Sequence, residues 1–173
     1  MYARATTLGI LAATAFALTI PAAPTFTLQS AGAVQLHSAG EEARYGVVPE
    51  AVHGHPIVLV SLGSSGSAGA LQLAVLGERP PAPGRYPIRS SWDETGSDTA
   101  SFHAAFMAGT AEHPLGWFHG ESGWVTIAEA KEGRIAGTFD VRARGFARDD
   151  VADENRWVTV SGSFDAVPSA RQD

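Results

Sequence analysis

Arg134 to Val141 reads RIAGTFDV, and Val158 to Ala166 reads VTVSGSFDA. Each phrase sets an apolar residue, a spacer, Gly, a small hydroxyl residue, Phe and Asp in that order. From Arg134 to Gly145 the odd positions are Ile135, Gly137, Phe139, Val141 and Ala143, and the even positions are mostly polar or charged. From Arg156 to Ala166 the even positions are apolar: Val158, Val160, Gly162, Phe164 and Ala166. Alternation with a period of two is the pattern of a strand with one face on a core and one on water. Both phenylalanines then point inward, and Asp140 and Asp165 point outward.

Pairing the two strands explains the repeat. If Gly145 lies opposite Arg156, Val141 faces Val160, Phe139 faces Gly162, and Gly137 faces Phe164. Each ring covers the other strand's glycine, which recovers packing that the glycine lacks and permits sharp curvature. A slip of two residues would keep the faces but break this match. The repeat is therefore read as a structural rule obeyed twice. On the other side, the turn AKEGR closes a hairpin with Gly133 at the position of positive φ. With Ala130 opposite Arg134, Val125 faces Phe139 and Ile127 faces Gly137.

The rest of the chain is strand and turn. Short apolar or alternating runs occur at Ala33–Ser38, Ala43–Val48, Ile57–Leu62, Ala70–Leu76, Arg85–Arg89, Ala100–Ala108, Leu115–His119 and Trp124–Ala130. Gly, Pro and Asp turns separate them. Only Glu50 to His53 leaves room for a turn of helix. Such spacing predicts an all-β fold: an antiparallel meander of about eight to ten strands, forming a closed or nearly closed barrel, with a β-sandwich as the alternative.

The beginning of the chain is of another kind. Arg4 precedes an uncharged apolar run, Leu8 to Ile20, too short for a comfortable membrane span but suited to the core of a signal peptide. Ala31-Gly32-Ala33 offers a small-x-small cleavage site, with Ala15-Phe16-Ala17 as an earlier one. The expected organisation is a signal peptide and short pre-cleavage segment at 1–33, one β domain at 34–168, and a disordered tail at 169–173. A secreted or periplasmic location follows from that reading. No later run is long and apolar enough for a membrane span.

Charge and composition exclude further classes. The net charge of -6 becomes -7 once Arg4 is removed, so the chain has no bulk attraction to nucleic acid. The absence of cysteine excludes disulfides, thiolate chemistry and a lipid anchor on cysteine. About 140 mature residues suffice for a self-sufficient core, and the chain is expected to be a monomer.

The order PGRYPI, a Phe-bearing strand, SGWVTIAEAKEGRIAGTFDV and VTVSGSFDA resembles a group of uncharacterised exported bacterial β-proteins. Their pattern is a P-G-x-Y strand, a G-x-V-x-I strand and two final strands with G-x-F. The resemblance spans roughly Pro83 to Ala166. It implies a β fold and export. Many of those relatives carry a lipid-anchoring cysteine, which this chain lacks.

Few residues suggest chemistry. His53 and His55 form an H-x-H pair, but Gly54 and Pro56 make the segment a turn. The crowded carboxylates Asp149, Asp150, Asp153 and Glu154 are weak calcium candidates, ahead of Asp93, Glu94 and Asp98, since calcium takes several oxygens from a flexible loop. Neither loop has EF-hand spacing. Gly63, Ser65 and Ser67 nearly form G-x-S-x-G, yet they sit between two strands, where a nucleophile elbow joins a strand to a helix. Trp124 and Trp157 take outward parity, and Arg142 and Arg144 are placed to stack on such rings.

The sequence thus points first to an exported, non-enzymatic β-barrel binding module of unknown ligand, with a small apolar molecule as the candidate. The second reading is a cell-envelope or extracellular interaction protein using an exposed Trp/Arg face. A hydrolase is third. No catalytic residue and no cofactor is assigned. Asp140 and Asp165 are both expected to be dispensable for folding.

Overall fold

The structure, a computed structural model, describes residues 23–92, 100–131, 133–147 and 155–169. Ten strands account for most of them: β1 (Thr25–Gly32), β2 (Leu36–Gly40), β3 (Ala43–Val52), β4 (His55–Leu62), β5 (Gly69–Leu76), β6 (Gly84–Pro87), β7 (Phe102–Gly109), β8 (Pro114–Lys131), β9 (Arg134–Ala147) and β10 (Arg156–Pro168). The fold is all-β, as the turn spacing predicts. Its strands run as an antiparallel meander, and seven of them, β3, β4, β5, β7, β8, β9 and β10, close into a ring. The ring is not even about an axis, a cross-section compatible with either a barrel or a sandwich. Closure is made by a short parallel contact, in which Val167 and Pro168 meet Arg44 and Tyr45.

The predicted register of β9 and β10 is the observed one. Gly145 pairs with Arg156, Val141 with Val160, Phe139 with Gly162, and Gly137 with Phe164. The fit is close. A Cβ on Gly162 would lie 2.8 Å from the Phe139 ring and 1.9 Å from the Thr27 carbonyl oxygen; one on Gly137 would lie 3.1 Å from the Phe164 ring. The β8–β9 pairs Val125–Phe139 and Ile127–Gly137 are also as predicted, but the turn is not. Lys131, not Ala130, pairs with Arg134, and a bulge between Ile127 and Glu129 absorbs the extra residue. Gly133 has a φ of 79°, as the turn requires.

Three further expectations, on the course of the strands, are corrected. The runs 115–119 and 124–130 are one strand, β8, bent at a bulge between Gly120 and Ser122. Gly123 follows with a φ of 132°. Bulges bend a strand and reverse its parity, so Trp117 and His119 point outward before the bend and Trp124 and Thr126 after it. Glu50 to His53 is not helical: β3 continues to Val52, and His53 and Gly54, with φ of 49° and 80°, form the two-residue turn into β4. Turns of this kind need positive φ at both central positions.

The third correction concerns the start of the domain. Residues 25–32, placed by the sequence in the segment before cleavage, form β1. That strand pairs along its whole length with β10, from Thr25–Asp165 to Gly32–Val158, and carries β2 on its other edge. Phe26 and Leu28 are buried in the core. The domain therefore includes β1. At the other end, the Ser169 amide donates to the Tyr45 carbonyl at 2.7 Å, so Ser169 continues the closing contact; residues 170–173 lie outside the described residues.

The core is one continuous cluster. Phe102, Phe106 and Phe118 are fully buried beside Leu62, Leu71, Leu73, Val58, Val60 and Ile135, with Phe26, Phe139 and Phe164 packed among them. The two aspartates of the repeated phrase differ. Asp140 is exposed, whereas Asp165 is half-buried and accepts a hydrogen bond from the Arg134 guanidinium. The Asp165 carboxylate raises the pKa of Arg134 further, by that hydrogen bond first and by charge attraction second. Asp165 is thus part of a cross-strand pair, contrary to the expectation of a solvated twin of Asp140.

Phe139→Ala and Phe164→Ala should each cost about 3–5 kcal/mol in urea unfolding, because each removes a core ring. Gly162→Ala should cost roughly 1–3 kcal/mol by overpacking. Asp140→Ala should stay within about 0.5 kcal/mol of the parent, while Asp165→Ala should lower the melting temperature measurably, by an amount that shrinks in high salt.

Candidate functional site

The outer face of the ring is where unusual residues collect. The register runs Gln72, Ala105, His119, Arg144 and Trp157 as one row across β5, β7, β8, β9 and β10. Beside it, Met107 pairs with Trp117 and Trp117 with Phe146. Outward parity on consecutive strands thus brings together two tryptophans, a histidine, an arginine and a methionine from distant parts of the sequence.

A cleft of about 450 Å³ lies on this face, lined by Trp117, His119, Glu121, Arg144, Gly145, Phe146 and Asn155. The rings of Trp117 and His119 meet edge to face at 6.4 Å. Arg144 pairs with Glu121 at 3.1 Å, an exposed bridge of little energetic weight that nonetheless fixes the guanidinium. On the other side, the Arg142 guanidinium lies 4.3 Å from the centre of the Trp157 ring and that of Arg144 6.0 Å. Such stacking contributes about 0.5–1 kcal/mol at an exposed site. It covers only part of the indole: Trp157 and Trp117 each keep 40% of their surface exposed.

A second cleft, about 340 Å³, continues across β7 toward β4 and β5, where Leu59, Ala74 and His103 form a cross-strand row. The Trp92 ring stacks on His103 with centroids 3.6 Å apart. Trp92 also packs against a small apolar cluster on the outside of the ring, made of Ile57, Ala74 and Leu76. The two clefts share His119 in their linings, so they lie side by side on the outer face.

The residues singled out from the sequence are divided by the structure. Trp157, Arg142 and Arg144 stand together at the edge of the first cleft. Trp124 stands apart, opposite Asp140, with Arg85 stacked on it at 4.2 Å and 43% of its surface exposed. Arg85, Trp117, His119, Trp92 and His103 were not assigned to a face from the sequence. The signal available for Trp117 and His119 was their common parity in LGWFH. His53 is a turn residue, so His53 and His55 do not share a strand face. Ser65 belongs to the hairpin loop between β4 and β5, where the Ser64 amide donates to the Ser67 hydroxyl. Asp149, Asp150, Asp153 and Glu154, with Asp93, Glu94 and Asp98, lie outside the described residues. Among the described residues no cluster of three or more acidic or histidine side chains is placed to hold a metal ion, and no helix is long and apolar enough to cross a membrane.

No protein family, curated protein or solved structure matches the chain.

Trp157→Ala and Trp124→Ala should each shift the unfolding midpoint by no more than about 1 kcal/mol, since both rings lie outside the core and lose mainly an arginine contact. Thermal unfolding monitored by circular dichroism reads this directly.

Proposed function

We propose that this protein is an exported, non-enzymatic binding module whose contact surface is the outer face around Trp117, His119, Arg144 and Trp157. The observation that carries the reading is that two large aromatic rings stay 40% exposed while arginine and histidine hold them in place. Exposed apolar surface of this kind is a cost unless a partner covers it. Tryptophan, methionine and arginine are the residues enriched at the centres of protein interfaces, and lysine is depleted there. This face has Trp117, Trp157, Met107, Arg142 and Arg144, and the chain's single lysine, Lys131, lies in the β8–β9 hairpin. The favoured partner is another protein of the cell envelope or the extracellular space. Export itself rests on the N-terminal sequence and on the resemblance to exported β-proteins.

A small apolar ligand inside the ring is the competing reading. The continuous cluster of phenylalanine, leucine and valine across the interior speaks for packing instead. Two measurements separate them. A photo-crosslinking residue placed at Met107 should capture a discrete partner in the envelope fraction, and the same residue at Glu78 should not. Adding Trp117→Ala and Trp157→Ala should abolish the capture while the protein still unfolds cooperatively, at a melting temperature only a few degrees lower. Conversely, saturable binding of an anilinonaphthalene dye that persists in that double variant would place the ligand inside and overturn the surface reading.

A further inference from the structure

Ala31-Gly32-Ala33 has the sequence of a signal-peptidase site, and the structure gives its glycine another reason to be there. Ala31 pairs with Thr159 at the end of β1. Gly32 has a φ of 110°, and a Cβ there would lie 2.6 Å from the Trp157 carbonyl oxygen, so only glycine fits. The Ala33 amide donates to the same carbonyl at 2.9 Å, and the Ser30 hydroxyl donates to the Val34 carbonyl at 3.0 Å across the turn. The segment is the β1–β2 hairpin turn, closed tightly onto β10.

Cutting after Ala33 would remove all of β1. The edge of β10 from Val158 to Asp165 would lose its partner, as would β2. The core would lose Phe26 and Leu28. A leader whose removal takes away a strand that covers the β10 edge and places two side chains in the core is incompatible with the fold it is meant to release.

We infer that the export cleavage lies upstream of Thr25, with Ala15-Phe16-Ala17 supplying the small-x-small sequence, and that Ala31-Gly32-Ala33 is a structural turn and not a processing site. The inference rests on the reading that the chain is exported. A cut after Ala17 gives a 17-residue leader with Arg4 near its start and an apolar stretch from Leu8, within the usual dimensions of a signal peptide. Everything from Thr25 onward is then kept.

The test is the intact mass and N-terminal sequence of the protein expressed in a bacterium with its own leader and recovered from outside the cytoplasm. A first residue between Leu18 and Thr25 is expected. A first residue of Val34 would overturn the inference. A chain found only at full length inside the cell would instead overturn the export reading, which keeps the two failures apart. Two variants sharpen the result. Ala17→Gln should make unprocessed precursor accumulate several-fold, whereas Ala33→Gln, at an exposed position, should be processed like the parent to the same first residue. If Ala33→Gln were the variant that blocked processing, the turn would be the peptidase site. As an independent check on the fold, the chain from Leu18 should unfold cooperatively on heating and the chain from Val34 should not; equal cooperativity in both would remove the structural ground for the inference.

Discussion

The contact on which most of this fold depends is a phenylalanine ring laid over a glycine of the adjacent strand. It occurs between β1 and β2, where a Cβ on Gly40 would lie 3.2 Å from the Phe26 ring. Between β9 and β10 it occurs twice, reciprocally. In each such pair the ring fills the space that a side chain on the glycine would otherwise take, and at Gly137 and Gly162 the missing Cβ also leaves room for a carbonyl of the strand on the other side, Thr126 or Thr27. A sheet can curve sharply at those points. With no cysteine in the chain, this packing and the single core that it organises carry the burden that disulfides carry in many small exported domains.

The same constraint explains what the sequence made legible. β9 and β10 alternate cleanly because one face is wholly committed to the core, so parity and register could be read without a structure. β1 could not. Its Thr-x-Thr alternation follows directly on a leader-like run, and its last residues mimic a cleavage site. β8 was divided because Gly120 and Gly123 look like a turn, whereas they mark a bulge within one long strand. The hairpin residues Lys131 and Arg134 show a milder failure, a one-residue shift hidden by a second bulge.

The candidate site was legible only in part, for a related reason. Outward parity identified Trp157 with Arg142 and Arg144, which are neighbours on one strand pair. Trp117 and His119 joined them only through the β8–β9 register on the far side of the bulge, where the outward positions change from odd to even. Trp92 and His103 come together through the stacking of one ring on the other outside β7, which no local pattern encodes. Trp124 shares its parity with Trp157 but belongs to another neighbourhood, beside Arg85 and Asp140. Composition can say that exposed tryptophans exist; only the register says which of them share a surface.

The strand that closes the ring is also the last of the ten described strands in chain order. β10 holds β9 on one edge, and on the other it holds first β1 and then, for two residues, β3. The two ends of the described chain therefore meet at a single strand. No contiguous half of the protein has all its strand partners, and contacts this distant in sequence form slowly. Until β10 is in place, the edges of β1 and β9 that it covers have no strand beside them, and an open edge is a template for pairing with another chain.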